Sequence, residues 1–300
     1  MLTPSWFFGV VEDRNDPLKL GRCRVRCVGY HTENKQELPT HDLPWCYPVA
    51  PIGSASISGK GDAPVGPLEG TWVVGFFKDG EACQDPIMIG TVGGIPMMTP
   101  DPNKGFNDPR GLYPNNVGEP DTNKLARGEP EGTIVDSKKS SQDTMLVASG
   151  FGVSAKQEPE NPYAAQYPFN EVKESEAGHI IEVDSTPGSE RLHTYHPSGT
   201  FEEIHPDGSK VEKIQGNNYT VTAGEHSIHV KGKCDVTLEG GCNVLVNGPT
   251  NFNCMGTASY TVAGCFSVKA LGSIKLTSGA SNLILNPGAC IIRAPLIQLN

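Results

Sequence analysis

Glycine recurs at every eighth residue through the last third of this 300-residue chain. It stands at Gly208, Gly216, Gly224, Gly232, Gly240, Gly248, Gly256, Gly264, Gly272 and Gly288, ten of the eleven positions that the phase defines. The exception is Ala280, with Gly279 beside it. With glycine at 35 of 300 residues, such phasing would arise by chance roughly once in 10⁸ sequences. Between the glycines, position parity sorts the side chains. Ile228, Val230, Val236, Leu238, Val244, Val246, Phe252, Val262, Phe266, Val268, Ile274, Leu276, Ile284 and Ile292 hold even positions, and Glu225, His229, Lys231, Lys233, Asp235, Thr237 and Glu239 hold odd ones. One strand face is therefore dry and the other wet. Each octad reads as a short strand plus a corner, where glycine supplies the backbone freedom that a bend asks for.

One chain of such octads cannot bury its dry face without stacking onto something. Hexapeptide and calcium-binding nonapeptide solenoids have other periods. Eight fits a prism in which three copies wind together, their inward side chains meeting on a threefold axis and their backbones paired between strands. In that homotrimer, Cys234, Cys242, Cys254 and Cys290 fall on the inward phase, where a small buried thiol is a good filler. A three-thiol metal ring is the sharper alternative. His226 is inward as well, and three copies form either a hydrated ring or a metal or anion site. The expectation is no resident metal and no cofactor. Cys265 is out of phase. Nine cysteines without a C-x-x-C pair argue against a disulfide framework and for synthesis in a reducing cytosol.

The rest of the chain is also β-rich. Residues 6–12, 21–28, 71–77 and 86–92 read as strands separated by Gly- and Pro-containing turns, which predicts a five-stranded OB-fold barrel over residues 1–95. Residues 96–175 read as an extended Pro/Asn-rich linker running over a partner or another copy. Residues 176–210 form a β-turn-rich neck, where His196-Pro197-Ser198-Gly199 and His205-Pro206-Asp207-Gly208 are near-duplicate turns. Residues 211–300 are the spike, an intertwined triple-stranded β-helix in an all-β protein. OB barrels often hold nucleic acid, and Arg22, Arg24 and Arg26 alternate with Cys23, Val25 and Cys27 along one strand. The net charge of −10 speaks against a nucleic-acid partner, so the three arginines are expected on a solvated face or a polar protein interface. The N-terminal residues lack the basic leader and apolar core of a secretory signal, and no apolar run approaches the ~18 residues of a spanning helix.

Several motifs carry a family likeness. They include the run from Trp6-Phe7-Phe8-Gly9 through Asp13-Arg14, Asp16-Pro17-Leu18-Lys19-Leu20-Gly21-Arg22, Leu43-Pro44-Trp45, Gly66-Pro67-Leu68-Glu69-Gly70-Thr71 and Gly90-Thr91-Val92-Gly93-Gly94-Ile95. They resemble the N-terminal OB domain of contractile-tail phage baseplate central spikes, the tail-associated lysozyme family, and the patch at 105–114 resembles the stretch that follows that domain. Glu176-Ala177-Gly178-His179, Thr186-Pro187-Gly188 and His196-Pro197-Ser198-Gly199-Thr200 resemble the entry to that family's triple-stranded β-helix. The likeness spans about 6–123 and 163–300. It implies a cell-puncturing needle in the virion, assembled in the host cytoplasm. The homotrimer would dock through its OB domains on the baseplate hub trimer at the tail-tube end and point toward the host outer envelope.

The family's lysozyme domain has no counterpart here. Residues 124–175 are too few for it and offer no carboxylate pair for glycoside hydrolysis, so no enzymatic activity is expected. Glu225, Asp235 and Glu239 are likewise too scattered for a hydrolase or lyase on the shaft. The C-terminus lacks a His-x-His tip and is expected to accept a separate PAAR-type capping protein. The competing owner of such a spike is a VgrG-type needle of a type VI secretion or tailocin system.

Overall fold

The computed structural model describes residues 4–52, 54, 66–92, 121–149 and 152–297. Residues 93–120, with the patch at 105–114, lie outside them. Five strands close a barrel in the order β1-β2-β3-β5-β4: β1 Ser5–Asp13, β2 Cys23–Cys27, β3 Trp45–Pro48, β4 Trp72–Phe77 and β5 Pro86–Thr91. All pairs are antiparallel except β3 with β5. This is the expected OB arrangement. The strand that the sequence hid is β3, only four residues long and ending in Pro48. Phe7, Val11, Cys23, Val25, Cys27, Cys46, Val73, Phe77 and Met88 fill the interior. Strand closure is tight at Gly75, where a Cβ would come within 2.1 Å of the Ile87 carbonyl oxygen and 2.6 Å of the Phe7 ring.

The linker expectation needs correction. Within residues 96–175 the chain forms helices α1 Asp121–Arg127 and α2 Ile134–Ser140 and a hairpin of β6 Thr144–Ser149 with β7 Gly152–Gln157. Each helix is only two turns long, too short to show a 3.6-residue period among prolines and glycines. Tertiary contact supplies what propensity lacks. Leu125 and Ile134 pack against Ile180, and the Thr133 hydroxyl caps α2 by accepting from Val135 N.

The neck is likewise larger than residues 176–210. Its five-stranded antiparallel meander runs from β8 Asn170–Glu174 through β9 Ile180–Asp184, β10 Arg191–Tyr195 and β11 Phe201–Ile204 to β12 Lys210–Lys213. The two His-Pro-x-Gly motifs are hairpin turns. Gly199 N donates to His196 O and Gly208 N to His205 O, each at 2.9 Å, and both glycines have positive φ. This is the three-residue loop in which a left-handed residue completes the turn.

Two compact units divide the chain: residues 1–143 with 158–226, and residues 144–157 with 227–300. From Gly216 to Gly272 the glycine metre is visible in the backbone itself. Bends fall at 215–216, 223–224, 231–232, 239–240, 247–248, 255–256, 263–264 and 271–272, with extended chain between them. The chain by itself leaves the even side chains open to solvent, Val236 at 73% and Val244 at 81% exposed.

Beyond Gly272 the chain turns back on itself as β13 Ile274–Ser278, β14 Ser281–Asn286 and β15 Ala289–Arg293. Here the parity rule of the sequence breaks. Leu276 faces Leu283, and Leu283 faces Ile292, so Ile284 lies on the opposite sheet face from Leu276. The two-residue reversals at 279–280 and 287–288 pair even positions with odd ones.

Candidate functional site

Two places carry features beyond ordinary packing: the bends of the metre and the covered face of the neck sheet. The bend glycines Gly216, Gly224, Gly232, Gly240, Gly248, Gly256, Gly264 and Gly272 are not among the residues with positive φ, unlike Gly208. A Cβ added at any of the eight, or at Gly288, would meet no described atom within 4 Å. Neither local conformation nor crowding within one chain therefore accounts for glycine at these eight corners. Among the phased glycines, Gly208 is the one with positive φ.

His226, Cys234 and Cys242 are exposed on the single chain, as are Cys254, Cys265 and Cys290. Among the described residues, no group of three metal-ligating side chains comes together. Asp235 pairs with Lys233 at 2.7 Å.

The neck sheet reverses the usual polarity. Its exposed face carries Ile181, Val183 and Leu192, each between 43% and 49% exposed, while its covered face carries Glu182, Arg191, His193 and Glu203, each no more than 2% exposed. Strand register builds this set, since β9 and β10 place Glu182 opposite His193, and β10 and β11 place His193 opposite Glu203. Arg191 bridges the two carboxylates, donating from Nη2 to Glu182 Oε2 at 2.5 Å and from Nη1 to Glu203 Oε1 at 2.8 Å. His193 Nδ1 lies 2.8 Å from Glu182 Oε1. Asn170 Nδ2 donates to Glu182 Oε2 at 2.9 Å and to the Leu125 carbonyl at 3.0 Å.

α2 closes the set with Lys138. Its Nζ donates to Glu203 Oε2 at 2.8 Å, lies 3.3 Å from His193 Nε2, and sits 3.9 Å from the centre of the Phe201 ring. Two carboxylates thus face two cations around an imidazole. Burial disfavours the charge on Glu182, but His193, Arg191 and Asn170 outweigh it and bring the carboxyl down to about 2. Burial also lowers Lys138 and His193, each partly restored by its carboxylate partner. Such a buried set specifies register more than it adds stability, whereas removing one member strands the others.

Sequence reading missed these residues. Ile181, Val183 and Leu192 look like the inward set, and only the i, i+2 charge pairs Glu182/Asp184, Arg191/His193 and Glu203/His205 hint otherwise.

Arg22, Arg24 and Arg26 do not form the solvated face that was one of the two expectations for them. Arg26 is wholly buried, donating from Nε to Glu12 Oε1 at 2.7 Å and to the carbonyls of Thr32 and Leu38. Arg22 holds Asp16 through Nη2 at 2.6 Å and keeps that carboxyl far below the usual carboxylate range. Arg24 stacks on Trp45 at 4.4 Å. The three guanidinium groups are engaged with carboxylates, carbonyls and rings, and form no free phosphate track. The outside of the barrel shows aromatic surface instead: Trp6, Phe8 and Trp72 are 61%, 55% and 42% exposed. Among the described residues, no helix is long and apolar enough to cross a membrane.

Comparison with known proteins places this geometry. A model of the Gp5 N-terminal OB domain matches residues 29–190. Protein Gp5 of Vibrio phage KVP40 is 41% identical over 264 residues, covering 77% of this chain and 62% of that protein. The pre-baseplate central spike protein Gp5 of Enterobacteria phage T4 is 48% identical over 129 residues, covering 41% of this chain and 22% of that protein. The chain therefore spans less than two thirds of the length of either relative.

Proposed function

Because the chain belongs to the Gp5 N-terminal OB domain family, we propose that it is the structural central spike of a contractile phage tail baseplate, a cell-puncturing needle without enzymatic activity of its own. The observation that carries this reading is the metre: regular bends at phased glycines, with the apolar phase open along the whole run. An isolated chain with that surface aggregates or finds partners. Three copies give each extended octad a neighbour for its free backbone groups and cover Val236 and Val244. Close approach between chains also supplies the reason for glycine at corners where one chain leaves room for a side chain. The inward rings at His226, Cys234 and Cys242 are then filler and hydrogen-bonded core.

The aromatic outside of the barrel, with Trp6, Phe8 and Trp72, suits docking on the trimeric hub at the tail-tube end. A separate PAAR-type protein would form the tip, with force passing along the shaft to the host envelope. Both relatives are phage proteins, which favours a virion tail over a VgrG-type secretion needle.

Native mass of the purified full-length chain tests the reading. Three chains, persisting in denaturant that unfolds the barrel, are expected, and antibodies should label the baseplate end of tails. A stable monomer would remove both the shaft and the needle.

A further inference from the structure

The covered ionic face of the neck has one cation that does not belong to the sheet. Lys138 comes from α2, 55 residues before His193 and 65 before Glu203 in the chain, and its ammonium is buried between Glu203 on β11 and His193 on β10. The proton positions on His193 follow from its neighbours. Nδ1 faces the Glu182 carboxylate, which can only accept, so Nδ1 carries the proton. Nε2 faces the Lys138 ammonium, which can only donate, so Nε2 is bare. The imidazole is neutral in this arrangement, and its lone pair is one of the bonds that hold α2 down.

We infer that α2 is an acid-released clasp, held on the neck sheet by Lys138 and let go when His193 takes a second proton at Nε2. That proton would point at the ammonium 3.3 Å away. It turns an acceptor into a donor and adds a positive charge beside Lys138. The groups facing His193 are fixed in number. Glu182 from β9 and Glu203 from β11 are already matched by Arg191 and Lys138, and the third buried carboxylate of this face, Asp184 on β9, stands opposite Arg191 rather than His193 and accepts from Thr186. His205 also faces this carboxylate, with Nε2 3.4 Å from Glu203 Oε2. Lys138 is the member carried by a two-turn helix rather than by a paired strand.

The direction with pH follows. Burial, only partly offset by Glu182, holds His193 below the ordinary histidine range. The closed state is therefore complete above about pH 6.5 and is lost as the medium acidifies through the lowered value. The clasp lies within one chain and does not depend on the spike reading above.

Hydrogen exchange on the full-length native assembly, corrected for intrinsic exchange, tests it. Between about pH 7.5 and about pH 5, amides of α2 should lose at least about ten-fold of their protection while β9 to β11 keep theirs. His193→Gln donates to Glu182 and accepts from Lys138 without titrating, and should keep α2 protected in acid. Lys138→Met should make the protection of α2 independent of pH. His205→Asn should retain most of the response. Equal protection of wild-type α2 at both pH values overturns the clasp, as does joint loss from helix and sheet. An unchanged acid response in His193→Gln overturns it too. If that variant does not fold, a wild-type His193 resonance that titrates without moving α2 amides overturns the clasp in its place.

Discussion

Val73 and Phe77 in the barrel and Val236 and Val244 in the shaft are all apolar residues on one face of extended chain, yet the first two are wholly shielded and the second two are 73% and 81% exposed. The local pattern is the same in both regions. What differs is closure. Five strands of one chain curl until β1 meets β4, and the inward phase is sealed by the chain itself. Between Gly216 and Gly272 the octads bend every eight residues and join no β-ladder among the described residues, and the Thr237 hydroxyl donates to the Leu146 carbonyl of β6. Alternation thus says which face wants cover, and topology decides whether one molecule can provide it. The neck adds a third case, in which a sheet covers its charges and leaves Ile181, Val183 and Leu192 outside.

The sharpest way to break the comparison is a charge on the dry phase. Val236→Asp puts three carboxylates at one level of a three-chain shaft, where none can be solvated or paired. The expected result is loss of the native three-chain mass, read by light scattering, while the barrel's near-ultraviolet signal is unchanged. An intact trimer would show that the even phase does not face inward.

A smaller effect is expected within one chain. Arg191→Leu strands Glu182 and Glu203 on the covered face and should cost about 3–5 kcal/mol in chemical denaturation. The same set sets a pH dependence. Glu182 is brought from an ordinary carboxylate value to about 2, so its contribution is complete above about pH 4.5 and fades as pH falls toward that lowered value. Acid titration of stability should be flatter in Arg191→Leu than in the unsubstituted protein, and equal slopes would argue against an ionised cluster.

The mildest test uses the cysteines as reporters of cover. Burial raises the Cys23 thiol to about 12 and pushes Cys27 and Cys46 up as well. These three should resist alkylation whenever the barrel is folded, whatever the assembly state. Cys234, Cys242 and Cys254 should resist only while three chains are together. Mass spectrometry of labelled peptides before and after dissociation reads both sets in one sample.

Strand positions in the barrel, the His-Pro-x-Gly turns and the corners of the metre were legible because each depends on residues close in sequence. β3 was not, because four residues ending in proline carry too little pattern. Its place is set by pairing with β2 and, in parallel, with β5. Helices α1 and α2 escaped for a related reason, since Leu125 and Ile134 gain their cover from Ile180, a residue at least 46 positions away. The family likeness read from the N-terminal motifs and neck turns agrees with the match over residues 29–190.

By itself the amino-acid order determined an eight-residue bend period, a dry and a wet parity between bends, and a small β-barrel before them. Those are properties of neighbouring residues, where backbone freedom and side-chain alternation act over a few bonds. Only the tertiary structure decided that Arg22 and Arg26 turn inward to Asp16 and Glu12, that the neck covers its charges, and that Lys138 reaches them from a distant helix. A charged side chain looks alike in sequence whether it ends in water or beside a buried partner. The Coulomb and hydrogen-bond energy that makes burial tolerable depends on distances that only the folded chain sets.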